Sequence, residues 1–158
     1  MNWYNANKHC KSKGGKLVEI DSKEENTVLV KEINRREYTG KNFWIGLTDQ
    51  GSGGNWWLAS SGLKPSYLNW HGGEPNGRGN QNCARIRIGP YADWKDTWSD
   101  IGCAMTFVTN KIPLSSYTYM NGQKVFKTRN HKTTMHALCE FSQPTELPTA
   151  EGRLKQMI

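Results

Sequence analysis

The chain has 158 residues, a size that fits one domain. Hydrophobic residues make up only 35%, and no run approaches the roughly 20 apolar residues of a membrane-spanning helix. Lys and Arg exceed Asp and Glu by seven, yet they are scattered along the chain, which argues for a generally basic surface and against a nucleic-acid site.

Seven tryptophans and six tyrosines compensate for the low apolar content, because each ring buries a large area. In chain order, residues 2–12 place Trp3, Ala6, His9 and Cys10 at helical spacing, and Gly14-Gly15 ends the helix. "KLVEI" (16–20) reads as a short strand. Asp21 or Ser22 caps a second helix with Glu24 and Glu25 in its first turn and Val28, Leu29 and Ile33 on its apolar face. "FWIGLTD" (43–49) reads as a buried strand, and "GSGGNWWLAS" (51–60) as a glycine turn followed by an aromatic strand. Residues 61–82 are irregular, and a long irregular segment inside a compact domain is usually functional. "NCARIRIG" (82–89) alternates Ala84, Ile86 and Ile88 against Arg85 and Arg87, the pattern of a half-exposed strand. "DTWSDIGC" (96–103) and "HALCEF" (136–141) are the last short strands. Between them, 104–135 reads as a β-hairpin turning at Asn121-Gly122, or equally as a flexible insertion. The tail 142–158 has two prolines and little apolar content, so disorder is expected.

Cysteines stand at 10, 83, 103 and 139, with no C-x-x-C pair, so a zinc ribbon or a thioredoxin motif is disfavoured. An even, widely spaced set suggests two disulfides and an oxidising compartment, and sequence alone allows three pairings. "MNWYNANKHC" lacks an apolar leader, so the chain is expected to begin inside a longer secreted or membrane-tethered protein. For a cytosolic chain, a Cys/His zinc site using His9, Cys10, His136 and Cys139 is the alternative. His71 has no Ser or Cys nucleophile at a catalytic spacing, and no nucleotide fingerprint appears, so no enzyme chemistry is indicated.

The segment "NWHGGEPNGRGNQNCARI" (69–86) gathers Glu74, Asn76, Asn80, Gln81 and Asn82 in one irregular loop. All are oxygen donors, the class that a hard cation selects. The tryptophans at 44, 56, 57, 70, 94 and 98 read as core rings rather than sugar platforms.

Taken in order, Trp3…Ala6…Cys10, "GGKLVEIDSKEEN", "WIGLTD", "GNWWL", "YLNWHGGEPN", "NCARI", "WSDIGC" and "LCEF" resemble a C-type lectin-like domain over roughly 1–103 and 136–141. The resemblance implies an α+β fold, two helices flanking small antiparallel sheets under a long irregular ligand-binding loop region. It implies the nested disulfides Cys10–Cys139 and Cys83–Cys103. It divides the chain into a domain at 1–141, with the first strand missing and an insertion at about 104–135, and a tail at 142–158. It implies a Ca²⁺ site of Glu74, Asn76, Gln81, Ser99 and Asp100, with Pro75 in cis turning its neighbours to one side. Gln81 and Ser99 depart from the family's Glu and Asn, leaving two carboxylates where three are usual and lowering calcium affinity. An auxiliary calcium site looks mostly lost. Asp49 is its relic, and Gly53, Gly77 and Asn82 stand near the places of acidic ligands.

By the same resemblance, Glu74, Asn76 and Asp100 bind carbohydrate. The Glu-then-Asn order selects glycans with equatorial 3- and 4-hydroxyls, of the mannose, glucose, N-acetylglucosamine or fucose type. Few groups touch one sugar, so useful binding needs several copies, in an oligomer for instance. The expected setting is extracellular, with no nucleic acid and no membrane insertion by this chain. Two alternatives stand beside it: the same fold binding a protein or other ligand without calcium, and an incomplete or alternatively spliced product.

Overall fold

In a computed structural model, residues 1–36, 38, 40–77, 79–88, 96–120 and 123–141 are described, with 107–120 and 123–133 as backbone only. The Asn121-Gly122 turn, Trp94 and the tail 142–158 lie outside the described residues.

Helix α1 spans Trp3–Ser12, and the Asn2 side chain caps it by accepting from the Asn5 N–H at 2.9 Å. Its buried stripe is Trp3, Ala6 and Cys10. Helix α2 spans Lys23–Arg35. Ser22 accepts from the Glu25 N–H at 3.0 Å, while the Glu25 carboxylate accepts from the Asp21 N–H at 2.8 Å, so cap and first turn satisfy each other's donors. Leu29, Val30 and Ile33 are its buried apolar residues. Val28, counted in the apolar face from periodicity, is only partly buried.

The strands are β1 (Lys16–Leu17), β2 (Asn42–Thr48), β3 (Trp57–Leu58), β4 (Cys83–Arg87), β5 (Trp98–Ile101), β6 (Phe107–Met120), β7 (Gln123–Ala137) and β8 (Cys139–Glu140). One sheet runs β5-β4-β2-β7-β6 with β3 attached to β2, and a second pairs β1 with β8. All pairings are antiparallel except β2 with β7, which run parallel. "KLVEI" therefore forms only two residues of ladder. "HALCEF" divides at Leu138, its first two residues ending β7 and Cys139–Glu140 forming β8. Strands β6 and β7 form a long antiparallel pair running from Phe107↔Thr134 to Met120↔Gln123.

The central strand β2 explains why a run of apolar residues needs no polar alternation. Phe43, Ile45 and Leu47 join the α2 core with Ile86, Ile88 and Trp98. Trp44 faces the other way into a second core with Trp3, Ala6, Cys10, Leu17 and Met135. Both faces are covered, so the strand is buried on both. Gly46 is the exception that this crowding requires: an added Cβ would lie 2.7 Å from Glu19 Cγ and 2.8 Å from the Leu17 carbonyl oxygen. Cys10–Cys139 joins α1 to β8, and Cys83–Cys103 joins the start of β4 to the turn after β5. The same turn takes the Trp3 N–H on its Cys103 carbonyl at 2.9 Å, fixing the helix to the base of the loops.

Candidate functional site

The irregular loop is held down by rings before it reaches its polar tip. Trp70 packs between Trp56 (4.7 Å between centroids) and Trp98 (6.2 Å), and Tyr67 meets Trp98 edge-on at 5.6 Å. Trp98 is itself fixed from below, its indole N–H donating to Asn26 Oδ1 at 3.0 Å. The backbone repeats the docking: the Trp98 N–H donates to the Asn69 carbonyl and the His71 N–H to the Trp98 carbonyl, both at 2.8 Å. These contacts set the loop against β5, the strand that carries Ser99 and Asp100.

At the tip, the Glu74–Pro75 peptide is cis. The Asp100 carboxylate, on a buried residue, accepts the Asn76 N–H at 3.0 Å on one oxygen and the Gly77 N–H at 2.8 Å on the other. Charge-assisted bonds of this kind are among the stronger ones available to a loop. Gly77 in turn accepts from the Asn80 and Gln81 N–H groups at 2.9 and 3.0 Å. A Cβ at Gly77 would fall inside the Gln81 side chain, so this glycine permits a close approach that no other residue would.

Glu74 completes the arrangement. Its carboxyl comes within hydrogen-bonding reach of Asp100, and its Oε2 is buried with no partner. Burial first, and then the neighbouring Asp100, push the Glu74 carboxyl up to about 7, with Arg85 pulling the other way. Two carboxylates facing each other with one oxygen unsatisfied form a cradle that favours a proton or a cation.

The other residues named from sequence are placed as follows. Asn76 is exposed at the tip. Gln81 is partly buried beneath Gly77. Ser99 is buried, and its hydroxyl accepts from Arg85 Nε at 2.9 Å, which engages it away from the Glu74–Asp100 pair. Asp49 is buried, takes the Gly54 N–H at 3.0 Å on one oxygen and leaves the other without a partner. Burial foremost, opposed by that N–H, and also the charge of Asp100 raise its carboxyl above the usual range.

Arg85 is the residue that strand alternation did not flag. Alternation put it on a half-exposed face, whereas the strand is interior to the sheet and the side chain is partly buried. Its Nε reaches Ser99, and its Nη1 donates to Asn42 Oδ1 at 2.8 Å. Burial first, then Arg87, pull the guanidinium down to about 10, while Glu74 and Asp100 pull it back up, so it stays charged at neutral pH. Three polar residues at 42, 85 and 99 fall on neighbouring strands, and only the pairing of β4 with β2 and β5 brings them together.

Residues 1–108 match the family model described as a lectin C-type domain. The chain belongs to the C-type lectin family. It is 34% identical over 95 residues to a perlucin-like protein of Mytilus galloprovincialis, the match covering 60% of this chain and 61% of that protein. Among solved structures it is similar to the mouse scavenger receptor C-type lectin carbohydrate-recognition domain, at 30% identity and TM-score 0.55, covering 66% of this chain and 73% of that one. It is also similar to a calcium-independent type II antifreeze protein, at 26% identity and TM-score 0.53, covering 65% of this chain and 71% of that one. The chain thus spans under two thirds of the mussel relative's length.

C-type lectins are binding domains, and in general they bind Ca²⁺, although relatives without calcium exist. The donors of this lectin domain fit a divalent cation through the Glu74–Asp100 pair and its unsatisfied oxygen. The rest of the set is thin: among the described residues no three His, Cys, Asp or Glu side chains gather into one metal-binding group.

Proposed function

We propose that this C-type lectin domain is a calcium-dependent carbohydrate-binding module for glycans with equatorial 3- and 4-hydroxyls, of the mannose, glucose or fucose type. The observation that carries the reading is the buried, unpartnered Glu74 Oε2 beside Asp100. Glu74, Asn76 and Asp100 would hold the ion, with Gln81 and Ser99 as weaker auxiliaries. Bound calcium supplies positive charge and spare coordination positions that accept vicinal hydroxyls. Glu74 accepts a hydrogen bond from a sugar hydroxyl and the Asn76 amide donates one, which fixes the orientation of the ring. Asp100 holds the loop in place through the Asn76 and Gly77 N–H groups while contributing its charge. No step makes or breaks a covalent bond, in keeping with a binding domain rather than an enzyme.

The two disulfides suit an oxidising, extracellular setting. We take 1–141 as the domain, with an insertion at about 104–135 and 142–158 as a tail, and expect several copies to act together because one site touches few sugar atoms. Calorimetric titration with Ca²⁺, followed by retention on mannose-agarose and release by chelator, tests the reading. Absence of both heat and retention sinks it.

A second reading, ligand binding by the same loops without calcium, is favoured by one observation: Ser99, a ligand position in the family pattern, is held by Arg85. Glycan or protein binding that persists unchanged in chelator would select it.

A further inference from the structure

Arg85 stands opposite Ser99 in the β4–β5 pairing, and Ser99 precedes Asp100 on the same strand. The guanidinium is fixed at two points, 2.9 Å from the Ser99 hydroxyl and 2.8 Å from Asn42 Oδ1. No carboxylate among the described residues lies within 4.0 Å of it. Its charge is therefore not spent in a contact ion pair; it acts through space on the neighbouring acids.

We infer that Arg85 is a resident cation that sets the calcium affinity of the site, by engaging the Ser99 hydroxyl and by placing a fixed positive charge beside the Glu74–Asp100 pair. The inference rests on the calcium reading above. A site with two carboxylates and a permanent guanidinium presents a net charge of about −1 to the ion, where the carboxylates alone would present about −2. Charge count is one of the ways in which calcium sites tune their affinity over orders of magnitude. The arrangement also accounts for the serine: a short hydroxyl suits an Nε donor from the neighbouring strand. Asn42 completes the clamp. It is fully buried, and its Nδ2 has no partner, so its side-chain oxygen toward Arg85 is the contact it makes.

Two variants neutralise the charge by different routes. Arg85→Gln deletes it while keeping a side chain able to hydrogen-bond. Asn42→Asp leaves Arg85 in place and converts its 2.8 Å hydrogen bond into an ion pair, at the cost of desolvating a fully buried carboxylate, which the thermal melt registers. Arg85→Lys keeps the charge. Calcium binding is read by calorimetry and by tryptophan-sensitised terbium luminescence, with thermal melting as the check on folding. Both neutralising variants are expected to bind Ca²⁺ about tenfold tighter than the wild-type chain, and Arg85→Lys to stay within about threefold of it. Binding in a variant where the wild-type chain gives no heat would support the inference in its strongest form. Wild-type binding that a folded Arg85→Gln or Asn42→Asp variant fails to tighten overturns the inference and leaves the calcium reading standing. No heat or luminescence in any of the four proteins overturns the calcium reading, and the inference with it.

Discussion

Replacing Glu74 by Gln tests the electrostatics of the loop without needing a ligand. Burial first, and then Asp100 beside it, push the Glu74 carboxyl of the folded chain up to about 7 from an ordinary value of 4.5. A raised carboxyl value means that the folded state binds the proton more tightly than the unfolded state does. Below pH 4.5 the group is protonated in both states and adds no cost. As pH rises from 4.5 through 7, the folded chain alone resists ionisation and stability is lost; above 7 the full cost is present. Taken whole, a rise from 4.5 to about 7 corresponds to roughly 3.4 kcal/mol. Glu74 is only partly buried, so solvent screening reduces this to about 1–2 kcal/mol. The amide of the variant carries no charge and can donate to Asp100 as the protonated acid does.

The expected result is specific in sign and in pH. In chelator, Glu74→Gln should match the wild-type chain at pH 4 and exceed its stability by about 1–2 kcal/mol at pH 8, a rise in Tm of roughly 3–6 °C. Thermal melts across that range, followed by near-UV circular dichroism of the loop tryptophans, make the measurement. With Ca²⁺ at about 100 times its Kd the order should reverse, since a ligand that binds only the folded wild-type chain adds about 2.7 kcal/mol. A variant less stable than the wild-type chain at pH 8 in chelator, or a difference that does not change with pH, would refute the reasoning.

Three further outcomes are expected. Asp100→Ala releases the N–H groups of Asn76 and Gly77 and should cost about 2–4 kcal/mol in chemical denaturation, while a carbon-detected NMR titration should show the Glu74 value falling toward 4.5. Gly77→Ala drives a Cβ into the Gln81 side chain and should cost about 1–3 kcal/mol, most of it recovered by adding Gln81→Gly; denaturant midpoints of the single and double variants decide it. Replacing both cysteines of the 129-residue separation should cost about 5 kcal/mol, and both of the 20-residue separation about 3 kcal/mol, measured against the oxidised chain.

Much of the fold was legible because its signals are local. The cap of α2, read as Asp21 or Ser22, the stripe Trp3-Ala6-Cys10 and the apolar run of β2 each depend on residues a few positions apart, whereas the Asn2 cap of α1 escapes a reading that counts residue 2 into the helix. The family pattern supplied the loop and its two carboxylates. What the residues alone could not supply was lateral pairing. "KLVEI" has strand composition throughout, yet Val18 and Gly46 share a backbone hydrogen bond outside any ladder, and only Lys16 and Leu17 find partners in β8. The alternation of 84–88 read Arg85 as half-exposed because period-two patterns report one strand. They do not report that β4 lies between β2 and β5, which brings Asn42 and Ser99 to the guanidinium.

The same lateral placement explains how a loop of glycines can hold charged groups at a fixed separation. A glycine-rich tip has little conformational preference of its own, so its geometry must come from contacts at its base and at its end. The base is the stack of Trp56, Trp70 and Trp98, tied to α2 through Asn26. The end is Asp100, which belongs to β5 and grips two consecutive N–H groups of the loop. Trp98 and Asp100 are two residues apart on one short strand, so a single rigid element anchors the loop twice and carries one half of the carboxylate pair. Glu74 is held between those anchors rather than beyond them. A displacement of β5 would move both anchors together, keeping the loop in register with Asp100. Loosening either anchor alone should separate Glu74 from Asp100 and bring its carboxyl back toward an ordinary acidity. Trp70→Ala, which breaks the ring stack and leaves every polar group of the tip in place, should therefore lower the Glu74 value toward 4.5 in the NMR titration. A value that stays near 7 in that variant would show that Asp100 alone is enough to hold the loop.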